Sequence, residues 1–154
     1  AQNVGAGKWD RVHRTTFVGS LYNLLMTGAL VALIYLFNRQ ALMMFLQDEE
    51  AIRIGMRINL ITLWPFILFG ITFVVTGVVR ATGAVMVPLV TTFIALWCIR
   101  TPLAYYFGYE FGLDALWWSF PIAFIVGLVS SIIYYIYGNW RQATLVKVEA
   151  ANGT

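Results

Sequence analysis

An all-α bundle of four membrane-spanning helices is the fold class that this 154-residue sequence predicts. Hydrophobic residues make up 60% of the chain and charged residues only 11%, with a mean hydropathy of +0.77. A water-soluble domain of this size has no use for so much apolar surface. A hydrocarbon core of about 30 Å needs roughly 20 apolar residues per helical crossing. Four stretches meet that length, at about 17–37, 58–79, 84–107 and 115–137.

The chain opens on Ala1 and enters a polar, Gly-containing turn from Gln2 to Gly7. There is no signal-peptide pattern, because the first apolar stretch is too long for a signal and lacks a small-residue cleavage site after it. The expectation is a start inside a longer protein. The first span, Phe17 to Phe37, is free of charge and carries the polar residues Asn23 and Thr27. The connection that follows, Asn38 to Arg57, contains a short amphipathic piece from Arg39 to Leu46 and then Asp48, Glu49 and Glu50. Asp48 is placed to cap the next helix, with both glutamates in its positive first turn and Glu49 four residues before Arg53. Those three acids also allow a cation site, but capping accounts for them without a ligand.

Pro65 interrupts the second span, Ile58 to Val79, and is expected to kink it near Ile61 to Trp64, beside Asn59 and Thr62. Such a bend serves equally as a structural kink filled by neighbours or as an opening toward an aqueous cavity. The connection Arg80 to Val85 is so short that the second and third helices are antiparallel neighbours, with Gly83 making the turn. The third span is uncharged from Ala84 to Ile99 and reaches full length by continuing through Arg100 and Pro102 to about Phe107. Arg100 is taken to lie near one end and to snorkel toward the headgroups. The fourth span, Ala115 to Tyr137, has Trp117 and Trp118 at one end and Tyr134, Tyr135, Tyr137 and Trp140 at the other. Rings sorted in this way mark the two lipid–water interfaces.

Gly28 and Ala32, Gly77 and Ala81, and Gly127 and Ser131 have the small-x-x-x-small spacing that lets helix backbones approach. Thr27, Thr62, Thr72 and Thr76 can each bond the carbonyl four residues back, so they say little about a site. A primary amide in lipid is not satisfied that way. Asn23 and Asn59 are therefore read either as glue between helices or as ligand contacts.

With four spans, both termini lie on one side of the membrane. Lys8, Arg11, Arg14, Arg80, Arg141 and Lys147 share that side, six basic residues against Arg39, Arg53, Arg57 and Arg100 on the other. The positive-inside rule then puts both termini in the cytoplasm. Basic residues that flank lipid spans instead of forming one stripe argue against nucleic acid as a partner. Enzymatic chemistry has little support. One histidine, His13, and one cysteine, Cys98, cannot make a zinc site, and no Asp or Glu falls inside an apolar core. No catalytic residue, metal ligand or cofactor is predicted, and Glu110 and Asp114 read as solvated acids in a Gly-rich turn.

Four pieces, in order, resemble the multidrug and toxic-compound extrusion (MATE) transporters. QNVGAGKWDRV at Gln2 to Val12 is similar to that family's Q-x-x-G-A-G connection, and TGVVRATGAVMVPL at Thr76 to Leu89 to its G-V-L-R-G-x-G-x-x-x-x-P segment. IRTPLAYYFGYEFGLDALWWSFPI at Ile99 to Ile122 resembles its R-I-P-L-A-Y and G-L-x-G-x-W pieces, and GNWR at Gly138 to Arg141 its C-terminal end. The resemblance implies that residues 1–154 are the C-terminal part of the second lobe of a twelve-helix, two-lobe transporter, its last four helices. Eight further helices would be their partners, together with the lipid bilayer and small cationic or amphipathic substrates. It also implies export in exchange for Na⁺ or H⁺ by alternating access at the plasma membrane.

The sequence departs from the family at two places. GAVMVP at Gly83 to Pro88 stands where an acidic and basic pair is frequent, leaving Arg80 and Gly83 as the conformational elements of that turn beside the Pro65 kink. The second span has no carboxylate where some branches place a cation-binding acid, so the coupling ion would be bound outside this segment. The implied contribution here is a substrate-facing wall of Asn59, Thr62 and Trp64 near Pro65, with Asn23 on the neighbouring helix. A lipid-linked saccharide flippase of the same superfamily, and a non-transporting packing subunit, are the alternatives.

Overall fold

The structure, a computed structural model, describes residues 2–142. Lys147, counted among the basic residues above, lies outside them. After a short helix α1 (Gln2–Gly5) and a turn at Gly7, the first span is the single helix α2 (Trp9–Leu36). It begins eight residues before the apolar stretch. Apolarity reports where lipid is, whereas a helix continues into the polar layer as long as its backbone stays bonded. The second span is α4 (Glu49–Thr62) followed by α5 (Pro65–Arg80), reached through the short α3 (Asn38–Met43). The third is α6 (Met86–Phe93), a π-helical stretch Ile94–Arg100, and α7 (Thr101–Phe111). A one-turn helix α8 (Leu113–Leu116) leads into α9 (Ser119–Tyr137), which is followed by a 3₁₀ turn, Asn139–Gln142. These make four helical crossings long and apolar enough to span a bilayer, Trp9–Leu36, Glu49–Arg80, Met86–Phe111 and Leu113–Tyr137. The chain is a multi-pass membrane protein.

Pro65 acts as expected. It sits at the first position of α5, and Leu63 and Trp64 before it keep helical dihedrals while the regular bonding gives way to tight bonds from Phe66 N to Leu63 O and from Ile67 N to Trp64 O. Tyr35 of the first span donates to Leu60 O at 3.1 Å, satisfying a carbonyl beside the kink. Asp48 caps α4, accepting from Ala51 N at 3.0 Å. Glu49 does not pair with Arg53. Both its carboxylate oxygens accept from the one Arg39 Nη2, at 2.8 and 2.9 Å, pinning α3 to α4, and Arg53 turns to Glu50 at 3.5 Å.

α5 is the central helix, packed against α2 on one side and α9 on another, while the third span approaches α9 through its π-helical stretch. The turn at Ala81–Gly83, with Gly83 at φ +95°, returns the chain alongside α5 but leaves a groove between α5 and α6. The helix spacing signals are only partly met. A Cβ on Gly28 or Gly77 would touch nothing within 4 Å, whereas on Gly19 it would meet Val74, on Gly70 the Asn23 amide and on Gly127 Ala95. A four-residue spacing places small residues on one helix face without saying whether a neighbour lies there.

At one end of the bundle the start of α2, the Ala81–Gly83 turn and the C-terminal end of α9 are tied together. Trp140, 1% exposed, stacks on Tyr135 at 5.0 Å, stands edge-on to Trp9 at 5.9 Å, and donates through Nε1 to Tyr135 O. Two rings read as part of an interfacial girdle thus turn inward, because an indole N–H buried among helices can find a carbonyl there. Thr82 Oγ1 lies 2.7 Å from Val79 O and 2.8 Å from Trp140 O, its proton shared between them. Arg141 donates to His13 Nε2 at 3.2 Å. A guanidinium can only donate, so His13 carries its proton on Nδ1, donates to Tyr135 at 2.6 Å, and Tyr135 donates to Thr16. At the opposite end Arg57 bridges to Asp114 at 3.0 Å, joining the second span to the last connection. Asp114 is thus an ion-pair partner as well as a surface acid.

Candidate functional site

The residues singled out from sequence fall in separate places. Asn59 donates to Asn38 Oδ1 at 2.7 Å, and Asn38, 4% exposed, donates in turn to Met56 O at 3.3 Å. Its amide is engaged in joining α3 to α4. Thr62 is buried and donates to Ile58 O at 2.8 Å, the four-back bond expected of a helical threonine. Trp64 is half-buried at the kink. Asn23 faces Gly70 across the α2–α5 contact, and its Oδ1 is buried without a hydrogen-bond donor.

A concavity with both polar and aromatic walls lies elsewhere, in the groove between α5 and α6. It has a volume of about 200 Å³ and is walled by Phe69, Thr72, Phe73 and Thr76 on α5 and by Pro88 and Thr92 on α6, with Arg80 at its end. The helical repeat sets this up. Thr72 and Phe73 lie three and four residues after Phe69, Thr76 four and three after them, and Arg80 four after Thr76, so all line one face of α5. A narrow gap of about 20 Å³ continues from Thr72 and Thr92 inward toward Ala95 and Phe124, where Phe69 and Phe124 stack with centroids 5.0 Å apart.

Each threonine proton in the groove is already committed. Thr72 donates to Leu68 O at 2.9 Å, Thr76 to Thr72 O at 2.8 Å, and Thr92 to Pro88 O at 2.8 Å. What these hydroxyls still offer is acceptor lone pairs, set among phenyl faces. Arg80, one of the predicted conformational residues, folds back on its own helix. Its Nη2 donates to Thr76 Oγ1 at 2.9 Å, its Nε to Thr76 O at 3.3 Å, and its Cζ lies 5.2 Å from the Phe73 ring centroid. It caps the C-terminal, electronegative end of α5 while closing one end of the groove. The sequence held a signal for this face, the run of aromatic and threonine residues at helical spacing, but each threonine read singly looked like a self-satisfied one.

The third span runs on to Phe111, four residues past the end expected near Phe107, so Arg100 lies eleven residues, or about 16 Å at the α-helical rise, inside its end. Its guanidinium lies over Phe120 of α9, Cζ 3.6 Å from the ring centroid. The turns before Pro102 widen to π geometry over Ile94–Arg100, and Thr101 Oγ1 donates back to Leu96 O at 3.3 Å, so the proline is accommodated without ending the span.

Comparisons with known proteins agree with this architecture. The MatE family model matches residues 1–106. The chain is 33% identical over 150 residues to Probable multidrug resistance protein YoeA of Bacillus subtilis (strain 168), an alignment covering 96% of this chain and 32% of that protein. It is 27% identical over 146 residues to Probable multidrug resistance protein YpnP of the same organism, covering 94% and 32%. It is 25% identical over 148 residues to Probable multidrug resistance protein NorM of Thermotoga maritima, again covering 94% and 32%. The chain therefore spans about a third of the length of these relatives, and no solved structure matches it significantly. With a family match over most of its length and relatives aligned along nearly all of it, the chain belongs to the MatE family.

Proposed function

We propose that these four spans are the C-terminal part of a secondary-active multidrug efflux transporter that exchanges its substrates for Na⁺ or H⁺ by alternating access. The observation that carries the substrate side of this reading is the α5–α6 groove, where acceptor-only threonine oxygens sit among the Phe69 and Phe73 rings. A cationic amphipathic molecule presents N–H or C–H donors and an apolar body, and it is matched by such lone pairs and aromatic faces. Trp64 at the kink and Asn23 on the α2–α5 contact would meet substrate outside this groove, and Asn59 and Thr62, bonded to Asn38 and Ile58, would line the wall beside the kink. Pro65, Arg80 and Gly83 are where the second span and its turn bend as the transporter switches. The coupling ion binds to carboxylates outside the described spans. A saccharide flippase would line its cavity with several free Arg or Lys side chains. The groove has one, Arg80, and it is folded onto Thr76 and Phe73, which favours drug export.

The test is efflux of a lipophilic cationic dye from cells lacking other exporters and expressing the full-length protein. Thr72→Val and Phe73→Leu should each reduce the efflux rate about three- to tenfold at normal membrane abundance, the loss expected for one acceptor or one aromatic face. Unchanged efflux by both variants would remove the groove from the substrate path.

A further inference from the structure

Arg100 lies inside the third span, eleven residues from its end at Phe111. Arg100 forms no ion pair among the described residues, and its Nε is buried with no hydrogen-bond partner. The Phe120 ring beneath it stabilises the positive charge but accepts no conventional hydrogen bond, whereas a guanidinium carries five N–H donors. A charge in this position is costly unless it faces protein or water and finds a partner.

Ser119, next to Phe120 in the chain, is fully buried and its Oγ is also without a partner. What the unpaired guanidinium lacks is an oxygen anion to accept from it.

We propose that Arg100 is the cationic half of an intramembrane pair with a carboxylate that none of the four described spans supplies. A carboxylate fits the guanidinium fork and cancels its single charge, whereas a phosphate dianion would leave an excess negative charge in a low-dielectric site. The carboxylate has two sources, an acidic ligand or an Asp or Glu of the rest of the full-length protein. Only the second rests on the reading that further spans surround these four. Neither requires that the protein export drugs.

The experiment uses the full-length protein in detergent and measures binding of 2-naphthoate and of its uncharged analogue 2-naphthamide, with thermal melting read on the same samples. If the carboxylate is a ligand's, naphthoate binds about tenfold or more tightly than the amide. That preference is lost in Arg100→Gln and kept in part in Arg100→Lys. If it is the protein's own, the two probes bind alike and Arg100→Gln lowers the melting temperature. Neutralising one intramembrane Asp or Glu of the remaining spans, tried in turn, then restores it. Two results overturn the proposal: equal probe binding with wild-type melting in Arg100→Gln, or a lowered melting temperature that no neutralisation restores. Because no transport step is read, failure of these tests is separable from failure of the efflux assay.

Discussion

Gly70→Ala gives a direct test of how α2 packs on α5. A Cβ at this position would stand 2.3 Å from Asn23 Oδ1, 2.6 Å from Nδ2 and 2.8 Å from Cγ, all inside ordinary van der Waals contact. The amide must rotate away or the helices must separate, and overpacking of this kind costs about 1–3 kcal/mol. Replacing a helical glycine by alanine also contributes about 1 kcal/mol of backbone stabilisation. The net expectation is a loss of about 1 kcal/mol. The sign should reverse when the clash partner is removed. In an Asn23→Ala background the methyl has room, and Gly70→Ala should then stabilise by up to about 1 kcal/mol, giving a coupling of about 1–3 kcal/mol between the two positions. Gly77→Ala is the control, since nothing lies within 4 Å of its Cβ, and it should be neutral or mildly stabilising. The assay is equilibrium unfolding of the full-length protein in mixed micelles, with all four variants compared in one series. Equal effects of Gly70→Ala in the two backgrounds would mean that Asn23 does not occupy the space that the missing side chain leaves.

Substitutions at four further positions probe the ends of the bundle and the α3–α4 contact. Thr82→Val removes the hydroxyl shared by Val79 O and Trp140 O and should cost about 1–3 kcal/mol in unfolding experiments, with Thr82→Ser close to wild type. Arg57→Ala and Asp114→Ala break a pair whose side chains are 68% and 66% exposed. Each should cost less than about 1 kcal/mol, and the coupling should fade as salt is raised in a double-mutant cycle. Asn59→Ala leaves the buried Asn38 Oδ1 without its donor. A stability loss of about 1–3 kcal/mol is expected in the unfolding series, with lower membrane abundance on quantitative blots, and an unchanged melting curve would show that Asn38 finds another partner.

The spans were legible because lipid imposes a length and a composition that no other environment does, and Pro65, Asp48 and Gly83 were legible because each acts on backbone within a few residues of itself. Partners chosen across space were not. Glu49 had a plausible mate in Arg53 on its own helix, and nothing local announced that Arg39 would approach from α3. His13 read as an unremarkable flank residue, yet it joins α2 to Tyr135, more than a hundred positions away. Trp140 looked like an interfacial ring until the chain folded it under Trp9. Arg100 was legible as a cation within the third span, but not its partner, the Phe120 ring of α9.

The polar groups inside the spans sort by whether their bonding capacity is already used. Asn59, Thr62 and Thr16 are spent on neighbouring backbone or side chains, so substitutions there report on stability before they report on anything else. Thr72 and Thr92 are half spent, with protons committed and lone pairs open toward the α5–α6 groove. Asn23 Oδ1, Arg100 Nε and Ser119 Oγ are buried and unspent. In a low-dielectric setting an unspent group is costly, and such groups persist where another molecule, another part of the chain or a second conformation completes them. Two of the three belong to the contact between the third span and α9, and the third belongs to the contact between α2 and α5. The helix that separates these contacts is the one broken at Pro65.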